Sequence, residues 1–92
     1  MNIIMYFSAD WCKPCQQMKP MIEDFMRDNV NPKIFKIDSE IEPELVDKFQ
    51  IRGIPTFVLL NGETELKRHT GTMTREQFDD FAKHEETVQD DV

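Results

Sequence analysis

Cys12 and Cys15 are the only cysteines of the chain, and they sit in Trp11-Cys12-Lys13-Pro14-Cys15. A thiol is a nucleophile only as its thiolate, and a thiolate needs positive potential close by. The pair directly follows an apolar, strand-like run and opens an amphipathic helix. A helix N-terminus presents unpaired N–H groups and a partial positive charge to whatever caps it. Cys12 is therefore the expected nucleophile, and Cys15 can close a disulfide with it. Lys13 sets a mobile cation beside the thiolate. Exposed charges interact weakly, so a merely solvated Lys13 is the competing reading. Pro14 falls in the first helical turn, where its missing N–H does no harm.

Other chemistries fit poorly. C-x-x-C supplies two zinc ligands, and His69 and His84 lie far downstream without H-x₃₋₅-H spacing, so no metal site is expected and both histidines read as surface residues. The methionine-rich helix face reads as core, not as a haem or metal site. Nothing matches a dinucleotide fingerprint. The net charge is −7 and the eleven Lys and Arg are scattered, which argues against a nucleic-acid surface. The acidity serves solubility and some steering of partners with basic patches. The longest apolar run is too short for a membrane span. Met1 to Phe7 lack a basic region and a small-residue cleavage site, so no signal peptide is expected. The expected location is the cytoplasm, where a surface disulfide is transient and catalytic.

The elements that must position the cysteines are legible from period and punctuation. A chain of 92 residues suits one domain. Such a domain buries only roughly 60–65% of its unfolded surface, so the core must be well filled. Asn2 to Ser8 is a continuous apolar run and reads as a central strand buried on both faces. A helix follows from Lys13 to about Asp28, with Met18, Met21, Ile22, Phe25 and Met26 as its apolar stripe and Pro20 as an expected kink. Lys33 to Asp38 reads as the second strand. Pro43 begins a short helix with Leu45, Val46 and Phe49 inward. Arg52-Gly53-Ile54-Pro55 is a tight entry to a third strand, Thr56 to Leu60. Asn61-Gly62 is a hairpin signal leading into a fourth, Thr64 to Thr70. Gly71 breaks that strand. Thr74 with Gln77 makes a capping box for a last helix that buries Phe78, Phe81 and Ala82. Glu85 to Val92 is acidic and has little to bury, so it is expected to be a flexible tail after a domain of residues 1–84. The order βαβαββα, with a right-handed parallel crossover first and an antiparallel hairpin last, predicts an α/β fold with helices on both faces of a four-stranded mixed sheet.

That order and three motifs resemble the thioredoxin family. Ala9-Asp10-Trp11-Cys12-Lys13-Pro14-Cys15 looks like the family's active-site stretch, which usually has Gly at the position of Lys13. Ile51-Arg52-Gly53-Ile54-Pro55-Thr56 looks like the loop of its cis-proline, matched by Pro55. Asn61-Gly62-Glu63 and Gly71 match its hairpin and groove glycine, and Pro20 its helix-kinking proline. The resemblance covers Asn2 to Lys83. C-x-x-C alone is weak evidence; followed by R-G-I-P-T at this distance it is strong.

The resemblance implies a protein-disulfide reductase cycling a Cys12/Cys15 dithiol and disulfide, with Cys15 as the resolving thiol. It implies a cis Pro55 that leaves the Ile54 backbone free to pair with an extended substrate. Trp11 would pack on that substrate, with simple packing over the helix start as the competing reading, and Thr70, Gly71 and Thr72 would form the far wall of the groove. No bound cofactor is implied beyond the redox disulfide; flavin and NADPH would belong to a thioredoxin-reductase-like electron donor. The expected chain is a monomer with protein disulfides as substrates and no nucleic-acid or membrane partner. An alternative keeps the fold without catalysis, as a module that binds or stabilises a larger partner protein.

Departures from the family pattern are informative. The chain begins at the central strand, like a trimmed, glutaredoxin-sized version. Tyr6 stands where the family has a buried Asp six residues before the first cysteine, and Ile34 and Ser8 replace a Lys and a Trp near it. Loss of the acid together with its partner leaves no orphaned charge. A phenol, with a reference pKa of about 10, is a poor proton acceptor, so Tyr6 reads as a core or hydrogen-bonding residue. Asp38 matches a family aspartate whose Trp partner is here Ser8; a solvent-facing carboxylate is expected, with a hydrogen bond to Ser8 as the competing reading.

Overall fold

The computed structural model describes residues 1–83. The expected tail, Glu85 to Val92, and His84 lie outside the described residues. Strands β1 (Asn2–Ser8), β2 (Lys33–Asp38), β3 (Thr56–Asn61) and β4 (Thr64–Thr70) make one sheet in the order β2-β1-β3-β4. β1 pairs parallel with β2, from Ile3 opposite Lys33 to Ser8 opposite Asp38. It pairs antiparallel with β3, from Asn2 opposite Asn61 to Phe7 opposite Thr56. A strand covered by helices on both faces needs apolar residues on both, which is why β1 reads as an unbroken hydrophobic run.

Alternation splits that run between two layers. Ile4 and Tyr6 of β1 join Phe57 and Leu59 of β3 under Met18, Ile22 and Phe25 of α1 (Lys13–Asp28) and Phe78 and Phe81 of α3 (Arg75–Ala82). Met5 and Phe7 join Val58 and Leu60 over Leu45 and Val46 of α2 (Pro43–Lys48) and the adjoining Phe49. Phe78 is the hub of the first layer: its ring meets Phe25 edge-on at 4.8 Å and Phe57 at 5.4 Å. Each such buried ring is worth about 1.5–3 kcal/mol of transfer energy. Thr74 Oγ1 accepts from the Gln77 amide while Gln77 Oε1 accepts from the Thr74 amide, so the capping box opens α3 as its sequence predicts.

Two local readings, Met26 in the stripe and the frame of the hairpin, are corrected, and the other local features carry no sequence signal. Met26 is 43% exposed, because it lies about 100° beyond Phe25 around the helix and leaves the stripe. Phe35 is 48% exposed on β2, an edge strand with a neighbour on one side only. The two loop residues of the hairpin are Gly62 and Glu63, not Asn61 and Gly62, since Asn61 still pairs with Thr64. Only Gly62 has a left-handed φ, +62°, which is the pattern of a II′ turn. The β3–β4 register shifts between Leu59 and Leu60, leaving Leu66 as the extra residue of a bulge. The Asn31–Pro32 peptide is cis, a feature with no counterpart in the sequence reading.

Candidate functional site

The end of β1 turns directly into α1. The Cys12 amide donates to the Ala9 carbonyl oxygen at 3.2 Å, and the Gln16 side-chain amide braces the same turn through the Ala9 and Asp10 carbonyls. Cys12 is the N-cap of α1, with extended backbone, and its carbonyl accepts the first helical bond from the Gln16 amide. Cys12 and Cys15 form a disulfide across a Cα separation of 5.2 Å. The Cys15 amide donates to Cys12 Sγ at 3.2 Å. Pro14 brings no N–H of its own, so the Cys15 amide is the donor that reaches the sulfur. Cys12 is 4% and Cys15 1% exposed, while Trp11, Lys13 and Pro14 around them are exposed.

Tyr6 lies under this turn. Its hydroxyl donates to the Cys15 carbonyl at 2.9 Å, and its ring stacks on Phe57 at 4.8 Å. Burial pushes its pKa up to about 12, against a smaller opposing pull from the Ser8 side chain. Tyr6 is thus a protonated donor that ties β1 to the first turn of α1, matching its reading as a core and hydrogen-bonding residue. Its acceptor, a backbone carbonyl of the cysteine pair, carries no sequence signal.

The loop after β2 differs from expectation. Asp38 Oδ1 accepts from the Glu40 amide at 2.9 Å and from the Ile41 amide at 3.4 Å, so this half-buried carboxylate caps its own turn instead of facing solvent. Ser8 meets the turn through its backbone, accepting from the Ser39 amide at 2.8 Å. The turn presents Glu40, whose carboxylate accepts the Trp11 indole N–H. Sequence reasoning missed Glu40; no periodicity or motif marks a contact across 29 residues.

The loop before β3 completes the site. The Ile54–Pro55 peptide is cis. Ile54 packs on Ala9, Cys12 and Cys15. Thr56 Oγ1 donates to the Gly53 carbonyl and lies 3.0 Å from Thr70 Oγ1. The Gly71 amide donates to the Pro55 carbonyl at 2.8 Å, at a φ of +111° that favours glycine. A concavity of about 660 Å³ runs between Trp11, Cys12 and Pro14 on one side and Val46, Ile51 and Ile54 on the other, with Lys13 and Arg52 also lining it. Thr70, Gly71 and Thr72 are not among its walls; Gly71 meets the site through its bond to the Pro55 carbonyl and Thr70 through Thr56, while the Thr72 carbonyl faces His69. Half-buried His69 lies 3.3 Å from the Thr72 carbonyl oxygen. Among the described residues no cluster of three or more His, Cys, Asp or Glu could hold a metal ion, and no helix is long and apolar enough to cross a membrane.

The protein-family model described as Thioredoxin matches residues 1–84. Thioredoxin C-3 of Corynebacterium nephridii is 40% identical over 65 residues, covering 71% of this chain and 45% of that protein. The thioredoxin of Buchnera aphidicola subsp. Schizaphis graminum is 31% identical over 80 residues, covering 86% of this chain and 74% of that protein. The crystal structure of a thioredoxin from Nicotiana alata superposes with a TM-score of 0.81 at 28% identity, over 87% of this chain and 69% of that one.

Proposed function

The chain belongs to the thioredoxin family, and on that premise we propose that it is a thiol–disulfide oxidoreductase that reduces protein disulfides through Cys12 and Cys15. In the reduced state the Cys12 thiolate attacks a substrate disulfide. The substrate S–S bond breaks, a mixed disulfide forms, and one substrate sulfur leaves as thiolate. Cys15, deprotonated, then attacks Cys12 Sγ and releases the second substrate sulfur. Two electrons have passed to the substrate, and the pair is left as the internal disulfide.

One observation carries this reading: Cys12 caps α1, bridged to Cys15 and facing its amide. The amide and the helix dipole stabilise a thiolate by about 0.3–2 kcal/mol. Pro55 and Ile54 are read as the edge against which an extended substrate pairs. Trp11 is read as its aromatic contact, and Thr70, Gly71 and Thr72 as outlying support. Tyr6 is protonated and spends its hydrogen on a carbonyl, so the proton of Cys15 leaves by another acceptor. In this reading the chain is a cytoplasmic monomer that holds no cofactor and is recharged by a flavin- and NADPH-dependent reductase.

Insulin reduction driven by dithiothreitol tests the proposal. The chain is expected to accelerate precipitation of the insulin B chain, and Cys12→Ser is expected to abolish the effect. A wild-type rate equal to dithiothreitol alone rejects the enzyme. Full biological activity of a Cys12→Ser, Cys15→Ser variant would favour the binding module instead.

A further inference from the structure

The concavity beside Cys12 carries a charge pattern opposite to that of the whole chain. Its walls are largely apolar, and its two charged lining residues, Lys13 and Arg52, are both cations. The chain as a whole carries −7. Its other arginines are engaged with carboxylates: Arg27 with Asp24, Arg68 with Glu65, and Arg75 with Asp28 and Asp79. Arg52 is exposed on the loop leading to Pro55 and has no ion pair among the described residues. Glu40, held at the Trp11 rim by the indole N–H, keeps its negative charge, so the selectivity is placed at the Arg52 end.

A guanidinium is a planar fork that matches a carboxylate with two parallel hydrogen bonds, and Lys13 adds a point charge at the same concavity. The open concavity, about 660 Å³, has the volume of a small-ligand site, room for a side chain beside the substrate sulfur. Acidic residues farther than about 8–10 Å from the Arg52 end are largely screened at physiological salt. We propose that Arg52, assisted by Lys13, is a specificity element that selects substrate disulfides whose cysteine is flanked by Asp or Glu. This rests on the oxidoreductase reading above. The substrate carboxylate would occupy the Arg52 end of the concavity while its neighbouring sulfur meets Cys12.

The test is single-turnover reduction by the dithiothreitol-reduced, desalted protein. It uses three peptides of equal length whose internal disulfide is flanked by Glu, Gln or Lys. The Cys12 thiolate breaks the peptide S–S bond. Cys15 then releases the second peptide sulfur, so each turnover yields one peptide dithiol and one Cys12–Cys15 disulfide. The Glu peptide is expected to react about three- to fivefold faster than the Gln peptide, the range of a solvent-exposed ion pair. Arg52→Gln should cut that preference below about twofold, and Arg52→Lys should leave it intermediate, since charge remains but the fork is gone. Lys19→Gln makes the same change in net charge at an exposed position outside the concavity and should leave the preference unchanged. Equal wild-type rates on the Glu and Gln peptides, or a preference undiminished in Arg52→Gln, overturns the inference alone. Failure of the wild type to reduce any peptide overturns the oxidoreductase reading and this inference with it.

Discussion

Lys13 is exposed, and it is the residue at which this C-x-x-C departs most plainly from the Gly-Pro form of the family. A cation beside Cys12 stabilises the thiolate and hence the reduced form, which makes the couple more oxidising. The effect of an exposed charge is about 0.2–1 kcal/mol, or about 5–20 mV for two electrons. Lys13→Gly is therefore expected to lower the redox potential by that amount in equilibration with glutathione buffers; an unchanged or higher value leaves Lys13 as a solvated side chain. Tyr6 is the second departure. Its phenol is held protonated by burial, so its pKa is higher folded than unfolded. The sign follows: this contribution to stability is complete below about pH 10, the unfolded value, and is lost as pH rises toward about 12. Tyr6→Phe removes both the hydrogen bond to the Cys15 carbonyl and this titration. Urea unfolding should show a loss of about 0.5–1.5 kcal/mol at pH 7 and a smaller difference from wild type above pH 11. A gap that stays constant with pH would show that the phenol does not titrate with folding.

At the scale of elements, the hairpin between β3 and β4 shows how far pattern carries and where it stops. Asn-Gly between two strand-like runs locates the turn, but the frame of the turn is set by pairing, here Asn61 with Thr64 and a bulge at Leu66. The left-handed φ falls at Gly62 alone, and nothing lies within 4 Å of where a Cβ would stand. Gly62→Ala should therefore cost about 1–2 kcal/mol from backbone conformation alone, read as a lower urea midpoint at constant slope. The same distinction runs through the site. Cys12, Cys15 and Pro14 were legible because helix-start chemistry is local, and β1 was legible because a strand covered on both faces has no polar side. The Tyr6–Cys15 and Trp11–Glu40 bonds were not, because they join elements whose mutual position depends on the sheet order β2-β1-β3-β4. Met26 misled for a related reason: hydrophobicity predicts a core position, but a stripe's edge leaves a side chain in water.

For the molecule as a whole, the redox pair and the core are separable loads. The sulfurs pack with Ala9 and Ile54 in a small group that shares Ile54 with the α2-side layer and no residue with the aromatic layer around Phe78. A chain of this length has a total stability of about 5–14 kcal/mol. Phe78 is fully buried and its ring meets Phe25, Phe57 and Phe81, so Phe78→Ala should cost about 3–5 kcal/mol through lost transfer energy and an unfilled cavity. That is a large share of the total. It should lower the thermal midpoint by more than about 10 °C and reduce activity only where the variant unfolds. Cys12→Ser should do the reverse, leaving the urea midpoint of the reduced protein nearly in place while ending catalysis. If Phe78→Ala changed the rate per folded molecule, measured well below its midpoint, the aromatic layer would be coupled to the cysteines. The route for that coupling is already visible: Phe57 touches Phe78 on one side and Tyr6 on the other, and the Tyr6 hydroxyl ends on the Cys15 carbonyl.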